Sequence, residues 1–75
     1  MKRAMISAVL NLCEGNGKRR YSKDRRRFFE ISLGSISEVM ACLELSKVFG
    51  LIKPNEADTL KSHLKLSYVR INALP

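Results

Sequence analysis

The feature that most constrains the fold is a long amphipathic segment in the middle of the sequence. Its apolar residues recur at intervals of 4, 3, 4 and 3 positions, which is the spacing of one face of an α-helix. These residues are Phe29, Leu33, Ile36, Met40 and Leu43. Ser22 is a suitable N-cap and Gly50 follows the pattern, so the sequence predicts a helix over about residues 22–49. A second apolar stripe from Phe28 to Phe49 indicates that this helix contacts more than one neighbour.

Shorter amphipathic segments flank the long one. Before Gly15, apolar residues cover most of the circumference of a helix, and Gly15 is expected to end that helix in the left-handed conformation. Pro54 suits the first turn of a third helix, whose apolar residues keep helical spacing. No stretch alternates between apolar and polar residues as a half-buried strand does. The sequence therefore predicts one all-α domain, residues 1–75, with helices at about 3–14, 22–49 and 54–73 and a basic linker at 15–21.

The amount of apolar surface predicts contacts beyond those of three helices in one chain. The first two predicted helices each carry two apolar stripes, so either a further helix or other subunits must cover them. We expect a homo-oligomer. Gly34 lies in the middle of the long helix, where glycine is unfavourable by about 1 kcal/mol relative to alanine. We therefore expect another helix to approach closely at Gly34.

Positive charge is concentrated in one window of the sequence. The chain has a formal net charge of +7, and residues 15–27 hold +6 of it, because seven cations face only Asp24. A charge of this sign and density indicates an acidic partner, which is nucleic acid, an anionic membrane or an acidic protein. The candidate nucleic-acid-binding residues are Lys18, Arg19, Arg20, Tyr21, Lys23, Arg25, Arg26 and Arg27.

Four of these cations lie at an unfavourable position for a helix. The N-terminal end of a helix carries partial positive charge and favours acids, yet Lys23, Arg25, Arg26 and Arg27 occupy the first turns of the long helix. Folding stability gives no reason for this arrangement, whereas a bound phosphate would offset both the side chains and the free N–H groups. Tyr21, among these charges, is suited to stacking on an unpaired base. The sequence thus predicts an RNA-binding or other nucleic-acid-binding segment that neutralises phosphates.

Other interpretations of the basic segment stay open. It could be a solubilising loop, partly neutralised by local pairs such as Arg27 with Glu30, on a protein-interaction scaffold with no nucleic-acid role. Contact with an anionic membrane is a third interpretation, although we expect no membrane partner. A helix-turn-helix reader of DNA fits less well, because the helix after the basic turn is too long for a recognition helix.

Enzyme and cofactor signatures are weak, and we expect a non-enzymatic protein with no cofactor and no metal. The Gly15–Lys18 run lacks the glycine spacing of a phosphate-binding loop and the Ser or Thr that follows its lysine. The single histidine, His63, is expected on an exposed polar face. Cys13 and Cys42 lack metal-ligand spacing, and we expect both to pack in the core as free thiols of a cytoplasmic protein. The Glu-x-x-His pattern of carboxylate metal sites in helical bundles is absent.

Polar residues on two predicted helices suggest hydrogen bonds that fix the register of one helix against the other. Arg3, Ser7 and Asn11 form a polar stripe on the first helix, and Ser35 and Glu38 lie on the second. We expect Ser35 and Glu38 to form interhelical hydrogen bonds with that stripe.

Two motifs resemble a known family. They are Asn-x-x-Glu-Gly at residues 11–15 and Leu-Gly-Ser-x-x-Glu at residues 33–38. With the flanking run 27–32 and the later run 45–52, they resemble the four-helix-bundle proteins encoded in intervening sequences of 23S ribosomal RNA genes. The resemblance covers essentially the whole chain.

The resemblance has implications for architecture and partners. It implies an antiparallel four-helix bundle that assembles into a ring-like pentamer. Family members normally carry one more helix at the N-terminus, and this sequence begins where their second helix would, so we expect it to lack the first. The related accessory protein of diversity-generating retroelements shares the fold and binds nucleic acid, which makes RNA or DNA the partner that the resemblance favours.

Overall fold

The computed structural model describes residues 2–75, and these form three helices and no strand. The helices are α1 (Lys2–Asn16), α2 (Lys23–Val48) and α3 (Pro54–Asn72). The prediction of an all-α fold is confirmed. None of these three helices is both long and apolar enough to cross a lipid bilayer.

Local hydrogen bonds and backbone conformation determine where α2 begins and ends. Ser22 adopts an extended backbone conformation and its hydroxyl accepts a hydrogen bond from the Arg25 main-chain N–H at 3.1 Å, as an N-cap residue does. At the other end Gly50 has a φ of +71°, a conformation that glycine adopts without steric cost. Beyond it, the Leu51 N–H bonds to the Ser46 carbonyl at 2.8 Å, which closes the last turn.

The end of α1 differs from the prediction at Gly15. The helix continues through Asn16, and Gly15 is a buried residue inside its last turn. A Cβ atom added at Gly15 would lie 2.6 Å from Cε1 of Phe29 and 3.2 Å from the main-chain oxygen of Arg25. Gly15 is therefore required because α2 passes so close to α1, and the expectation of a left-handed residue here was wrong.

The core lies on both sides of α2. The largest fully buried side chain is that of Phe29, which is 0% exposed. One cluster of buried residues joins α1 to the first half of α2 and the end of α3, and a second joins the start of α1 to the later part of α2. The first cluster is Ala8, Phe29, Leu33, Ile36 and Ile71, and the second is Ala4, Val39 and Leu43.

α1 and α3 each pack on α2, but no Cα atoms of α1 and α3 come within 8 Å of each other in the described chain. An apolar groove therefore separates the two outer helices, with residues of α2 as its floor. It includes a depression of about 410 Å³ whose walls are mainly apolar. Residues that line this α1–α3 groove include Met5, Val39, Leu43, Leu60 and Leu64.

Two packing expectations are corrected by the structure. A Cβ atom at Gly34 would meet no atom within 4 Å, so no helix of this chain approaches there.

Ser35 does donate a hydrogen bond to the Ser7 hydroxyl at 3.1 Å, as expected. Glu38 is exposed and its carboxylate forms no hydrogen bond within residues 2–75, so its expected role in fixing the register was wrong. Asn11 donates to the Ser7 carbonyl of its own helix instead.

Candidate nucleic-acid interface

The basic segment spans the end of α1, the connection to α2 and the first turns of α2. Two hydrogen bonds fold this connection tightly, from the Lys18 N–H to the Gly15 carbonyl at 3.0 Å and from the Ser22 N–H to the Arg19 carbonyl at 3.1 Å. Five cations of the segment are exposed, and we refer to them as the basic loop surface. They are Lys18, Arg19, Arg20, Lys23 and Arg27.

Arg25 is not part of this surface, because only 8% of it is exposed. Its Nε donates to the main-chain oxygen of Pro75 at 2.7 Å, and its Nη1 lies 3.3 Å from the Gly15 carbonyl oxygen. Two further carbonyl oxygens, those of Asn16 and Lys18, lie 3.4 Å from Nη1. The guanidinium also stacks 4.8 Å from the centroid of the Phe29 ring. Arg25 therefore ties together the ends of α1 and of the chain, and its burial does not fit the predicted contact with nucleic acid.

Arg26 is half-buried and also contacts the end of α3. Its guanidinium donates to the side-chain oxygen of Asn72 at 2.7 Å and to the main-chain oxygen of Asn72 at 3.3 Å. It also pairs with Glu30 at 3.3 Å, one helical turn further along α2. The suggested pair of Arg27 with Glu30 was therefore wrong, since Glu30 pairs with Arg26 and Arg27 is exposed.

These contacts change the electrostatic interpretation of the first turns of α2. The C-terminal end of a helix carries partial negative charge and unpaired carbonyl groups. The ends of α1 and α3 both lie beside the start of α2, where Arg25 and Arg26 donate to their carbonyl oxygens. Two of the four cations at this position thus stabilise the fold, and the expectation that folding gives no reason for them was wrong. Lys23 and Arg27 lack such a role.

The five residues of the basic loop surface have no carboxylate partner among residues 2–75. Asp24 is exposed beside them as the one acid of the segment. Lys18 lies 5.5 Å from the centroid of the Phe28 ring, a cation–π contact that leaves its charge uncompensated. The surface therefore carries five cations against one acid, which is an attractive site for a polyanion.

Tyr21 lies within the basic loop surface and is 80% exposed. Its φ is +63°, the left-handed region that non-glycine residues rarely occupy. The Arg20 guanidinium lies 5.7 Å from the centroid of its ring. The ring is thus held at the surface next to cations, outside the core.

The residues considered for metal or catalytic chemistry are dispersed. His63 is exposed, as expected, at the rim of the α1–α3 groove. Cys42 is half-buried, but Cys13 is exposed, so the expectation that Cys13 packs in the core was wrong. Within the described part of the chain, no three His, Cys, Asp or Glu residues are close enough to hold a metal ion.

Two further ion pairs join α2 to α3, away from the basic loop surface. Lys47 pairs with Asp58 at 2.9 Å, and Lys61 pairs with Glu44. The hydrogen bond and charge of Lys61 lower the pKa of Glu44 below its ordinary value of 4.5. The hydrogen bond and charge of Asp58 raise the pKa of Lys47 above its ordinary value of 10.5.

Sequence reasoning missed the structural role of Arg25, although a signal was present. Arg25 lies four residues before Phe29, so it occupies the next position on the buried stripe of α2. A cation on a buried stripe needs partners, and the free carbonyl groups at neighbouring helix ends supply them.

The sequence profile of one protein family matches this chain over residues 1–73, and the family is described as 23S rRNA-intervening sequence protein. The chain belongs to this family. The three helices agree with a helical family, and the resemblance inferred from the two motifs is confirmed. Comparisons with curated proteins and with solved structures give no match. Membership of the family thus rests on nearly the full length of the chain.

Proposed function

We propose that this 23S rRNA-intervening sequence protein is a non-enzymatic, oligomeric, antiparallel helical-bundle protein of the cytoplasm that binds RNA or other nucleic acid. The observation that carries the proposal is the basic loop surface, with five exposed cations and no carboxylate partner among residues 2–75.

The mechanism is neutralisation of phosphates with little reading of base sequence. Arginine donates two parallel hydrogen bonds to a phosphate, and lysine supplies a point charge. Lys23 and Arg27 are one helical turn apart at the start of α2, where the free N–H groups also favour an anion. Lys18, Arg19 and Arg20 extend the cationic surface from the helix onto the preceding loop. Such a surface follows a sugar–phosphate backbone over several nucleotides.

Oligomerisation is supported by apolar surface that this chain alone leaves uncovered. Met5, Ile6, Val9 and Leu10 form an apolar face on α1, and each side chain is between 39% and 60% exposed. The α1–α3 groove adjoins this face through Met5 and Val9. We propose that a second copy of the chain covers both. Association repeats the basic loop surface within one particle, so the affinity for a long polyanion increases through multivalency.

A salt series with two charge-matched variants tests nucleic-acid binding. The loop variant removes the five cations of the basic loop surface, and the control variant removes five exposed cations elsewhere, so both have a formal charge of +2. The loop variant carries K18Q, R19Q, R20Q, K23Q and R27Q, and the control variant carries K2Q, R3Q, K53Q, K65Q and R70Q. Affinity for an RNA oligonucleotide is measured by fluorescence anisotropy from low to high salt.

We expect the wild-type protein to lose affinity steeply with salt. The slope of log K against log salt changes by about 0.7 to 0.9 for each phosphate contact, so the loop variant should lose most of the slope. The control variant should keep most of it. Equal losses in both variants would show that net charge alone attracts RNA. An absence of RNA binding by the wild-type protein at low salt would favour the protein-interaction scaffold.

The oligomeric state is measured separately by light scattering. A particle mass several times the 8.5 kDa of one chain is expected. A mass of one chain at the highest concentration used for binding would contradict oligomerisation.

A further inference from the structure

We propose that the nucleic acid bound at the basic loop surface is an unpaired strand, with one base stacked on Tyr21. This inference rests on the proposed function, and it names the class of nucleic acid that the site takes.

The first argument is the contrast between the two tyrosines of the chain. Tyr68 packs against the buried cluster around Phe29 and contributes to the core. Tyr21 is 80% exposed, and the contact found for its ring is the Arg20 guanidinium at 5.7 Å. A large ring in water forgoes the free energy of burial. The ring of Tyr21 thus adds little to the stability of the described chain and is available to a ligand.

The second argument is the position of Tyr21 among the cations. It follows Arg20 directly, and Lys23 and Arg27 lie on the first turns of the adjoining helix. An aromatic ring within a cationic surface is the arrangement that binds single-stranded nucleic acids, because cations contact the backbone while bases stack on the ring. A paired strand offers this contact only at its ends, since its internal bases are already stacked on both faces within the duplex. A surface built for duplex phosphates alone would gain nothing from the ring.

The backbone conformation at Tyr21 determines which substitution removes the aromatic ring without disturbing the loop. With φ at +63°, a β-branched or bulky replacement would strain the loop, whereas asparagine adopts this conformation more readily than most residues. Tyr21→Asn therefore removes the ring while keeping the turn. Tyr21→Phe keeps the ring and removes the hydroxyl, and it is the matched control.

Affinity is measured for a single-stranded RNA and for an RNA duplex of the same length whose two ends are closed by non-nucleotide linkers, so that no terminal base pair is free to stack. Stacking of one base on an aromatic side chain contributes about 1–3 kcal/mol, which corresponds to roughly a 5- to 140-fold change in affinity. We expect Tyr21→Asn to lose affinity for the single strand within this range and to bind the duplex as the wild type does. Tyr21→Phe should bind both as the wild type does. Circular dichroism of each variant shows whether the helices are retained.

A spectroscopic measurement reports on the ring directly. The chain contains no tryptophan and two tyrosines, so Tyr68→Phe leaves Tyr21 as the only strong intrinsic fluorophore. We expect the single-stranded RNA to quench this fluorescence at saturation and the duplex to leave it largely unchanged.

The outcomes separate this inference from the proposed function. If the wild-type protein binds neither RNA, the proposed function fails. If it binds both equally, and neither Tyr21→Asn nor the fluorescence responds, nucleic-acid binding stands and the unpaired-strand inference is overturned.

Discussion

Replacement of Arg25 by alanine should destabilise the fold, although five of the other six cations in its segment are exposed. The hydrogen bond of 2.7 Å to the Pro75 oxygen is charge-assisted, and such bonds contribute about 1.5–3 kcal/mol. The stacking of Arg25 on the buried Phe29 ring adds about 0.5–2 kcal/mol. The weaker contacts of 3.3–3.4 Å share the hydrogens of one nitrogen, so we assign them nothing further. The expected loss in free energy of unfolding is therefore roughly 2–5 kcal/mol.

Thermal and chemical unfolding measure this loss. A change of 1 kcal/mol shifts Tm by about 4–8 °C in a domain of this size, so Arg25→Ala should lower Tm by at least about 8 °C. The matched control is Arg27→Ala, two residues further along α2, where an exposed cation is removed. Its free energy of unfolding should change by no more than about 0.5 kcal/mol. Protein concentration is kept constant, because association of copies makes Tm depend on concentration.

The opposite result would refute the structural role of Arg25. If Arg25→Ala has the same Tm as the wild type, the bonds of Arg25 to carbonyl oxygens contribute nothing to the free energy of unfolding. The Arg25 side chain is then as available to a phosphate as its exposed neighbours. If Arg25→Ala and Arg27→Ala are destabilised alike, the charge of the segment matters to folding and the particular contacts of Arg25 do not.

Two further predictions concern glycine and pH. Gly15→Ala should lower the free energy of unfolding despite the better helix propensity of alanine, because its Cβ would lie 2.6 Å from the buried Phe29 ring, and overpacking costs roughly 1–3 kcal/mol. Gly34→Ala should raise it by about 1 kcal/mol, because its Cβ would meet no atom within 4 Å; denaturant titrations that give both changes the same sign would contradict this reasoning. The lowered pKa of Glu44 means that its pair with Lys61 stabilises the fold above pH 4.5 and loses this effect as pH falls through the folded-state pKa. The raised pKa of Lys47 means that its pair with Asp58 stabilises below pH 10.5 and loses this effect as pH rises through the folded-state pKa. Glu44→Gln should flatten the acid side of a curve of unfolding free energy against pH, and Lys47→Gln should flatten its alkaline side. Curves that stay unchanged would show that solvent fully screens the charges of these two ion pairs.

The helices could be predicted from the sequence because their signals are local. The spacing from Phe29 to Leu43, the hydroxyl of Ser22 and the ring of Pro54 each act within one or two turns. Periodicity shows which face of a helix is buried, but not what lies against it. The requirement for Gly15 therefore could not be predicted, since it depends on the Phe29 ring of the next helix.

The candidate interface could be predicted only as a concentration of charge. The charge distribution identifies residues 15–27 as the most basic segment, but it does not distinguish a cation exposed to water from one bonded to carbonyl groups. That distinction depends on partners far along the sequence, because Arg25 bonds to a residue 50 positions away. Similarly, the apolar neighbours of Cys13 suggested burial, yet the face of α1 on which it lies is not covered by this chain.

α3 packs against α2 and not against α1, and this arrangement has a consequence for the arginines at the start of α2. Detachment of the final turn of α3 and of Pro75 breaks the bonds that these residues accept from Arg25 and Arg26. In this opened form the Arg26 guanidinium keeps only its pair with Glu30, whereas Arg25 keeps its contacts with the carbonyl oxygens at the end of α1 and with the Phe29 ring. By linkage, a ligand that prefers the opened form shifts the population towards it. If the protein binds a polyanion as proposed, docking of the last helix and binding of the polyanion compete for Arg26.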